Sequence, residues 1–190
     1  MVIVGIDEVG RGCWAGPLVA GAVILPSDLN LKDCPLELRD SKKLSRKQRQ
    51  AAAKWIHANA LTVGLGWVWP AEIDALGVSW AVGAAMKRAL AGLSADYGEI
   101  IIDGNINYCA DDPRARAVVK ADDSVLCVSA ASIVAKVARD TYMAELGKKY
   151  VGYGFEKHVG YGTAEHIAAL QQLGVSDLHR RSYKPIQRLL

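Results

Sequence analysis

The chain has 190 residues, 51% of them hydrophobic, which is enough to bury one core as a single domain over residues 1–190. No apolar run approaches the roughly 20 residues of a membrane span, and no basic segment followed by an apolar core marks a secretory signal, so these classes are excluded and a cytoplasmic protein without membrane partners is expected. The net charge of +3 excludes a strongly basic or acidic protein, and the four widely spaced cysteines are typical of reduced thiols.

The first half of the chain predicts three strands in succession. Residues 2–7 and 18–25 are apolar with β-branched content, and residues 61–69 continue the pattern. A loop is expected from Pro26 to Asp40, and a helix runs from the capping box at Ser45 to about Ala60.

The second half alternates helices and strands. Helices are predicted to begin at Pro70 and at Ser79, the second ending near Gly92. The remaining predicted elements are a strand at 99–103, a short strand at 118–120, a long helix at 129–149 and a helix at 163–173. Strands first, followed by alternating elements, predict an α/β protein with a mixed sheet and helices packed on it.

A glycine-rich turn follows the first strand and requires a test as a nucleotide-binding motif. Gly10, Gly12 and Ala15 match the GxGxxA spacing of dinucleotide-binding folds, which need a helix directly after the turn. The β-like residues 18–25 follow instead, and Asp7 and Glu8 would repel a pyrophosphate. A dinucleotide cofactor is therefore rejected.

Acidic residues lie at the ends of two predicted strands and after a third. Asp7 and Glu8 end the first strand, Asp103 ends the fourth, and the pair at 122–123 follows the short strand. Neighbouring residues of a regular strand point to opposite faces, so Glu8 shares a site with Asp7 only if the glycine turn distorts the strand end. Oxygen-rich clusters of this kind suit Mg²⁺ or Mn²⁺, and several carboxylates can hold two such ions for attack at phosphorus.

Basic residues crowd two stretches, 42–49 and 179–184. Each stretch alone is typical of a solvated surface, but together with clustered acids they favour a polyanionic partner. The four histidines, at 57, 158, 166 and 179, show no metal-ligand spacing.

Taken together, these motifs resemble the type 2 ribonuclease H family, ribonuclease HII. The matching segments are GIDEVGRGCWAGPLVAGAVIL, DSKKLS, IIDGN, KADDSVLCVSAASIVAKVARD, and YGFEKHVGYGTAEHIAAL with LHRRSYKPI. They occur in the family's order across residues 5–186. The resemblance implies a ribonuclease H-like fold, with a five-stranded mixed sheet flanked by helices and a C-terminal helical extension.

The resemblance also implies the catalytic, metal-binding set Asp7, Glu8, Asp103 and Asp122. Asp122 is chosen over Asp123 by its distance from a family motif, although Ala121 stands where the family has glycine. The cofactor implied is a divalent metal, Mg²⁺ or Mn²⁺, with two ions when substrate is bound.

Substrate contacts follow from the same resemblance. Ribonucleotide sensing is implied for the turn at Gly10, Arg11 and Gly12, whose bare backbone can approach a 2′-hydroxyl, and for Tyr161, whose ring can pack on the neighbouring sugar. The other residues expected at the substrate are the phosphate contacts Ser41, Lys42, Lys43 and Ser132, the last at a helix start, and the site-lining Asn105.

The function implied is an endoribonuclease that hydrolyses the RNA strand of RNA/DNA hybrids. It is expected also to cut DNA duplexes on the 5′ side of embedded ribonucleotides, by a two-metal-ion mechanism that leaves 3′-hydroxyl and 5′-phosphate ends, and to act as a monomer. The alternatives are a type 3 ribonuclease H, which lacks the glycine–arginine–glycine sensor, and a hybrid-binding module without catalysis.

Overall fold

The computed structural model describes residues 2–29, 34 and 44–190. The strands are β1 (Ile3–Val9), β2 (Leu18–Ile24), β3 (Thr62–Val68), β4 (Glu99–Asp103) and β5 (Ala115–Val118). The helices are α1 (Arg46–Asn59), α2 (Pro70–Leu76), α3 (Val78–Ala91), α4 (Ala121–Ser124), α5 (Leu126–Lys149), α6 (Phe155–His158), α7 (Ala164–Leu173) and α8 (Lys184–Gln187). Within the described part of the chain, no helix is both long and apolar enough to cross a bilayer.

The five strands form one mixed sheet in the order β3-β2-β1-β4-β5. The first three strands pair antiparallel as a meander, whereas β1 pairs parallel with β4, and β4 with β5. Parallel neighbours need a crossover, and α2 and α3 supply it between β3 and β4. The sheet confirms the predicted ribonuclease H-like α/β fold.

Helices cover both faces of this sheet. On one face, Val4 and Ile6 of β1 pack with Met86 and the other buried residues of α3. On the opposite face α5 lies directly on β1. The two backbones are so close that a Cβ added at Gly5 would lie 2.2 Å from the Cys127 backbone. This close approach brings the first turn of α5 against the middle of β1.

The C-terminal helical extension has its own buried cluster. Met143 and Leu146 at the end of α5 pack with Phe155, Leu170 and Ile186 from the three following helices. The extension therefore continues the fold from α5 and returns the chain to the glycine turn after β1.

Three predicted boundaries differ from the structure. β1 continues to Val9, which pairs with Val19 of β2, so Asp7 and Glu8 lie inside the strand rather than at its end. β5 was expected at 118–120 but occupies 115–118. This strand is held by pairing with β4 and by an Arg116–Glu99 ion pair of 2.5 Å, and its residues do not form the apolar run by which the other strands were predicted. The long helix begins at Leu126, three residues earlier than predicted.

Candidate metal centre and substrate cleft

Three aspartates from separate elements meet at one edge of the sheet. Asp7 belongs to β1, Asp103 ends β4 and Asp122 lies in α4, and each offers an oxygen within 4.8 Å of the others. The parallel register pairs Ile6 with Ile102, so the next residues of the two strands stand side by side. The backbone N–H of Asp122 donates to Asp103 Oδ1 at 3.4 Å, which ties α4 to the end of β4.

The two neighbouring acids Glu8 and Asp123 lie outside this three-aspartate group. Asp123 is exposed, whereas Asp122 is only 3% exposed. Glu8 follows Asp7 in a strand that pairs regularly through Val9, so the strand end lacks the distortion that was the condition for Glu8 to share a site with Asp7. Glu8 lines a neighbouring cleft, and its role as a fourth ligand stays a prediction.

Electrostatics of the three-aspartate group favour a bound cation. The pKa of Asp7 is raised to about 8, mainly by burial. A hydrogen bond from Ser132 lowers this pKa, whereas the negative charges of Glu8 and Asp103 raise it. Clustered carboxylates in a desolvated site repel each other unless a positive charge offsets them. An all-oxygen donor set of this size matches the preference of Mg²⁺ and Mn²⁺, so the residues present fit the implied metal.

The glycine–arginine–glycine turn directly follows β1. Gly10 has φ +86°, and a Cβ there would lie 2.3 Å from Arg139 Nε, so this position requires glycine. At Gly12 an added Cβ would meet nothing within 4 Å, which leaves that backbone open to a ligand. The Arg11 carbonyl accepts a hydrogen bond from the Tyr183 hydroxyl at 2.6 Å.

Two fully buried arginines hold the turn and the segment that follows it. Arg139 of α5 donates to the carbonyls of Pro17 and Val159, each at 2.8 Å. Arg180 donates to the carbonyls of Arg11 and Gly16 at 3.1 Å. These bonds satisfy the buried guanidinium groups. They also join the C-terminal segment, residues 174–183, to the turn beside the three aspartates.

Tyr161 stands at the cleft next to the turn. It is 40% exposed, and with Glu8, Ser132 and Lys136 it lines a cleft of about 340 Å³. Its side chain shares a hydrogen bond with the buried Cys13 thiol, and burial raises the pKa of both groups. Lys136 Nζ lies 5.9 Å from the ring centroid. The cleft therefore combines an aromatic surface with a cation beside the acidic cluster.

The remaining predicted contacts have different outcomes. Ser132 is not at a helix start, because α5 begins six residues earlier; its hydroxyl instead hydrogen-bonds Asp7. Asn105 is exposed two residues beyond Asp103. The predicted phosphate contacts that lie outside the described residues are Ser41, Lys42 and Lys43.

A chain of buried histidines, whose spacing carried no sequence signal, connects the C-terminal segment to Tyr161. The Ser176 N–H donates to His179 Nδ1 at 3.0 Å, so that nitrogen is an acceptor. His179 Nε2 then donates to His166 Nε2 at 3.0 Å, and His166 Nδ1 donates to the Tyr161 carbonyl at 2.9 Å. This direction of donation requires both rings to be neutral.

The histidine chain predicts acid destabilisation. Burial lowers the pKa of both His166 and His179 to about 4, from the usual 6.5. Below pH 6.5 the unfolded chain takes up protons that the folded chain refuses, so stability is lost as the pH falls from 6.5 to about 4. The loss is at most ~3 kcal/mol per ring.

Urea unfolding from pH 7 to 4.5 measures this loss. We expect wild-type protein to lose more unfolding free energy than His179→Gln, which removes one of the titrating rings. Parallel pH profiles for the two proteins would contradict the assignment.

Comparisons with known proteins agree with this geometry. A family model described as Ribonuclease HII matches residues 4–186. The Ribonuclease HII of Dichelobacter nodosus (strain VCS1703A) is 46% identical over 189 residues, 100% of this chain and 97% of the relative. The crystal structure of ribonuclease H2 from Pyrococcus horikoshii OT3 superposes with a TM-score of 0.85 at 26% identity, covering 100% of this chain and 97% of that one. The structure of the PCNA:RNase HII complex from Archaeoglobus fulgidus gives a TM-score of 0.80 at 25% identity, covering 97% and 96%.

Proposed function

Since the chain belongs to the ribonuclease HII family and is a metal-dependent endoribonuclease, we propose that it cuts duplex DNA on the 5′ side of an embedded ribonucleotide. As a ribonuclease H, it acts on RNA paired with DNA. The observation that carries the proposal is the position of the three aspartates beside an open glycine backbone and an exposed tyrosine.

The three aspartates are the proposed metal ligands, together with Glu8. Asp7 lies on β1, the middle strand of the sheet, and is the proposed bridging ligand. Two Mg²⁺ or Mn²⁺ ions, when bound, would supply an activated water and stabilise the leaving 3′-oxygen, so that the products carry 3′-hydroxyl and 5′-phosphate ends.

Recognition of the ribonucleotide is assigned to the turn and the cleft. The unobstructed Gly12 backbone supports a hydrogen bond to the 2′-hydroxyl, since no side chain intervenes. The exposed Tyr161 ring supports stacking on the adjacent sugar. Lys136 at the same cleft, which pairs with Asp140 at 2.9 Å, is a further proposed contact for the phosphate backbone.

The proposal extends to the whole protein. We propose one catalytic domain over residues 1–190, acting as a monomer in the cytoplasm. The buried free thiols of Cys13, Cys109 and Cys127 support a reducing compartment.

Cleavage of end-labelled duplexes tests the function. A duplex with one ribonucleotide is compared with an all-DNA duplex of the same sequence, in Mg²⁺, in Mn²⁺ and in EDTA. We expect a single cut 5′ of the ribonucleotide, with a 3′-hydroxyl end that a polymerase extends, and no cut in EDTA or in the all-DNA duplex. A cut on the 3′ side, or full activity in EDTA, would contradict the proposal.

A further inference from the structure

The recognition loop, residues 159–163 around Tyr161, has a strained backbone that needs support from other segments. Val159 has φ +47°, an unusual conformation for a β-branched residue, and Gly160 has φ +87°. The Tyr161 N–H donates to the His158 carbonyl at 2.9 Å, and its own carbonyl accepts from the Thr163 N–H at 2.8 Å. The second lone pair of that carbonyl accepts from His166, as described above.

The same loop contacts the segment that follows the glycine turn. The Trp14 N–H donates to the Gly160 carbonyl at 2.8 Å, and the Trp14 ring lies 5.8 Å from that of His166. A Cβ at Gly162 would lie 2.1 Å from the Trp14 ring, so the two segments touch. A shift of the loop would therefore also shift the segment after the turn.

His179 occupies the junction of three segments. It forms an isolated β-bridge with Ala15, and the following Arg180 N–H donates to the Trp14 carbonyl at 2.8 Å. Its ring donates to His166, which reaches Tyr161. The histidine chain thus connects the C-terminal segment, the recognition loop and the turn.

His158 supports the loop from the other side. Its Nδ1 accepts from the Gly160 N–H at 3.2 Å and its Nε2 donates to the Tyr153 carbonyl at 2.7 Å, so its proton position is also determined. Its ring stacks on His166 with centroids 4.4 Å apart. Both rings are buried and well packed, which fixes the direction of the donor toward Tyr161.

We infer that His166 and His179 are positioning residues for ribonucleotide selection, acting through the ordered hydrogen bonds His179→His166→Tyr161 carbonyl. The inference rests on the proposed recognition role of Tyr161. It assigns neither histidine a contact with substrate or metal. What matters is an N–H at one defined ring position in each: Nδ1 of His166 and Nε2 of His179.

Asparagine and glutamine variants separate this role from side-chain bulk. The asparagine amide occupies the place of imidazole Nδ1, and the glutamine amide that of Nε2. His166→Asn and His179→Gln keep the required donor, whereas His166→Gln and His179→Asn lose it. The exposed His57 offers a matched control, His57→Gln.

Selectivity is measured as the ratio of kcat/KM on a single-ribonucleotide duplex to kcat/KM on a duplex with a continuous RNA strand. We expect His166→Gln and His179→Asn to lower this ratio about fivefold, the value of one net hydrogen bond. The donor-keeping variants and His57→Gln should stay within about twofold of wild type. Two independent pairs keep the test decisive if one variant fails to fold, as judged by circular dichroism.

The inference is overturned if selectivity follows side-chain size at both positions or if all four variants keep the wild-type ratio. Tyr161→Ala distinguishes the two levels of failure. If Tyr161→Ala changes the ratio and the histidine variants do not, only the histidine inference fails. If Tyr161→Ala leaves the ratio unchanged, the proposed recognition role fails, and the inference with it.

Discussion

Asp7→Asn is expected to abolish cleavage while making the metal-free protein more stable. Loss of a ligand shared by the proposed metal sites should reduce kcat by at least ~10³-fold. The stabilisation follows from the raised pKa of about 8: between pH 3.8 and 8 the folded protein opposes ionisation of Asp7, whereas the unfolded chain does not. Stability is therefore lost as the pH rises through this range, and the asparagine removes that loss.

In EDTA at pH 7, we expect the unfolding free energy of Asp7→Asn to exceed that of wild type by roughly 1–3 kcal/mol, below the full cost of the pKa shift because the site can relax. The asparagine Oδ1 can still accept the Glu8 N–H that Asp7 accepts at 2.7 Å, so local geometry survives. Added Mg²⁺ should raise the Tm of wild type more than that of the variant.

Asp123→Asn is the matched control for this prediction. Asp123 is exposed and next to Asp122, so the variant should keep wild-type activity and stability. Loss of cleavage in Asp123→Asn would identify Asp123, rather than Asp122, as the third metal ligand. A less stable Asp7→Asn in EDTA would refute the electrostatic account of the site.

Gly12→Ala is expected to reduce activity on embedded ribonucleotides without affecting the fold. Its added methyl group meets no protein atom within 4 Å, so the Tm should stay at the wild-type value. The methyl group would stand between the backbone and the 2′-hydroxyl. Loss of that hydrogen bond lowers kcat/KM on a single-ribonucleotide duplex by roughly ten- to a hundredfold.

Gly10→Ala provides the contrast in the same turn. Gly10 has φ +86° and an added Cβ would clash with the buried Arg139 side chain, so this variant should lose both stability and activity. Thermal melts and kinetics of the two variants test the difference. A Gly12→Ala protein that cuts as fast as wild type would exclude the backbone of residue 12 from substrate recognition.

Much of the fold could be predicted from local sequence. Apolar runs identified the strands, and the capping box at Ser45 is formed in the structure, with its helix beginning at Arg46. β5 was predicted three residues too late, because Arg116 is exposed on an edge strand and its partner Glu99 lies on another segment. Local patterns report burial and capping, and they contain no information on pairing with distant residues.

The sequence by itself, together with the family resemblance, determined which acids were candidates and that the turn beside them needs glycine. The family spacing had already favoured Asp122 over Asp123, but only the tertiary structure showed that Asp122 is buried, that Asp123 is exposed and that Glu8 lies outside the three-aspartate group. Strand register and helix packing decide which side of the backbone is buried. The tertiary structure alone also revealed the connection from His179 to Tyr161. Hydrogen bonds between segments distant in sequence depend on how the chain folds back on itself, which spacing along the chain does not encode.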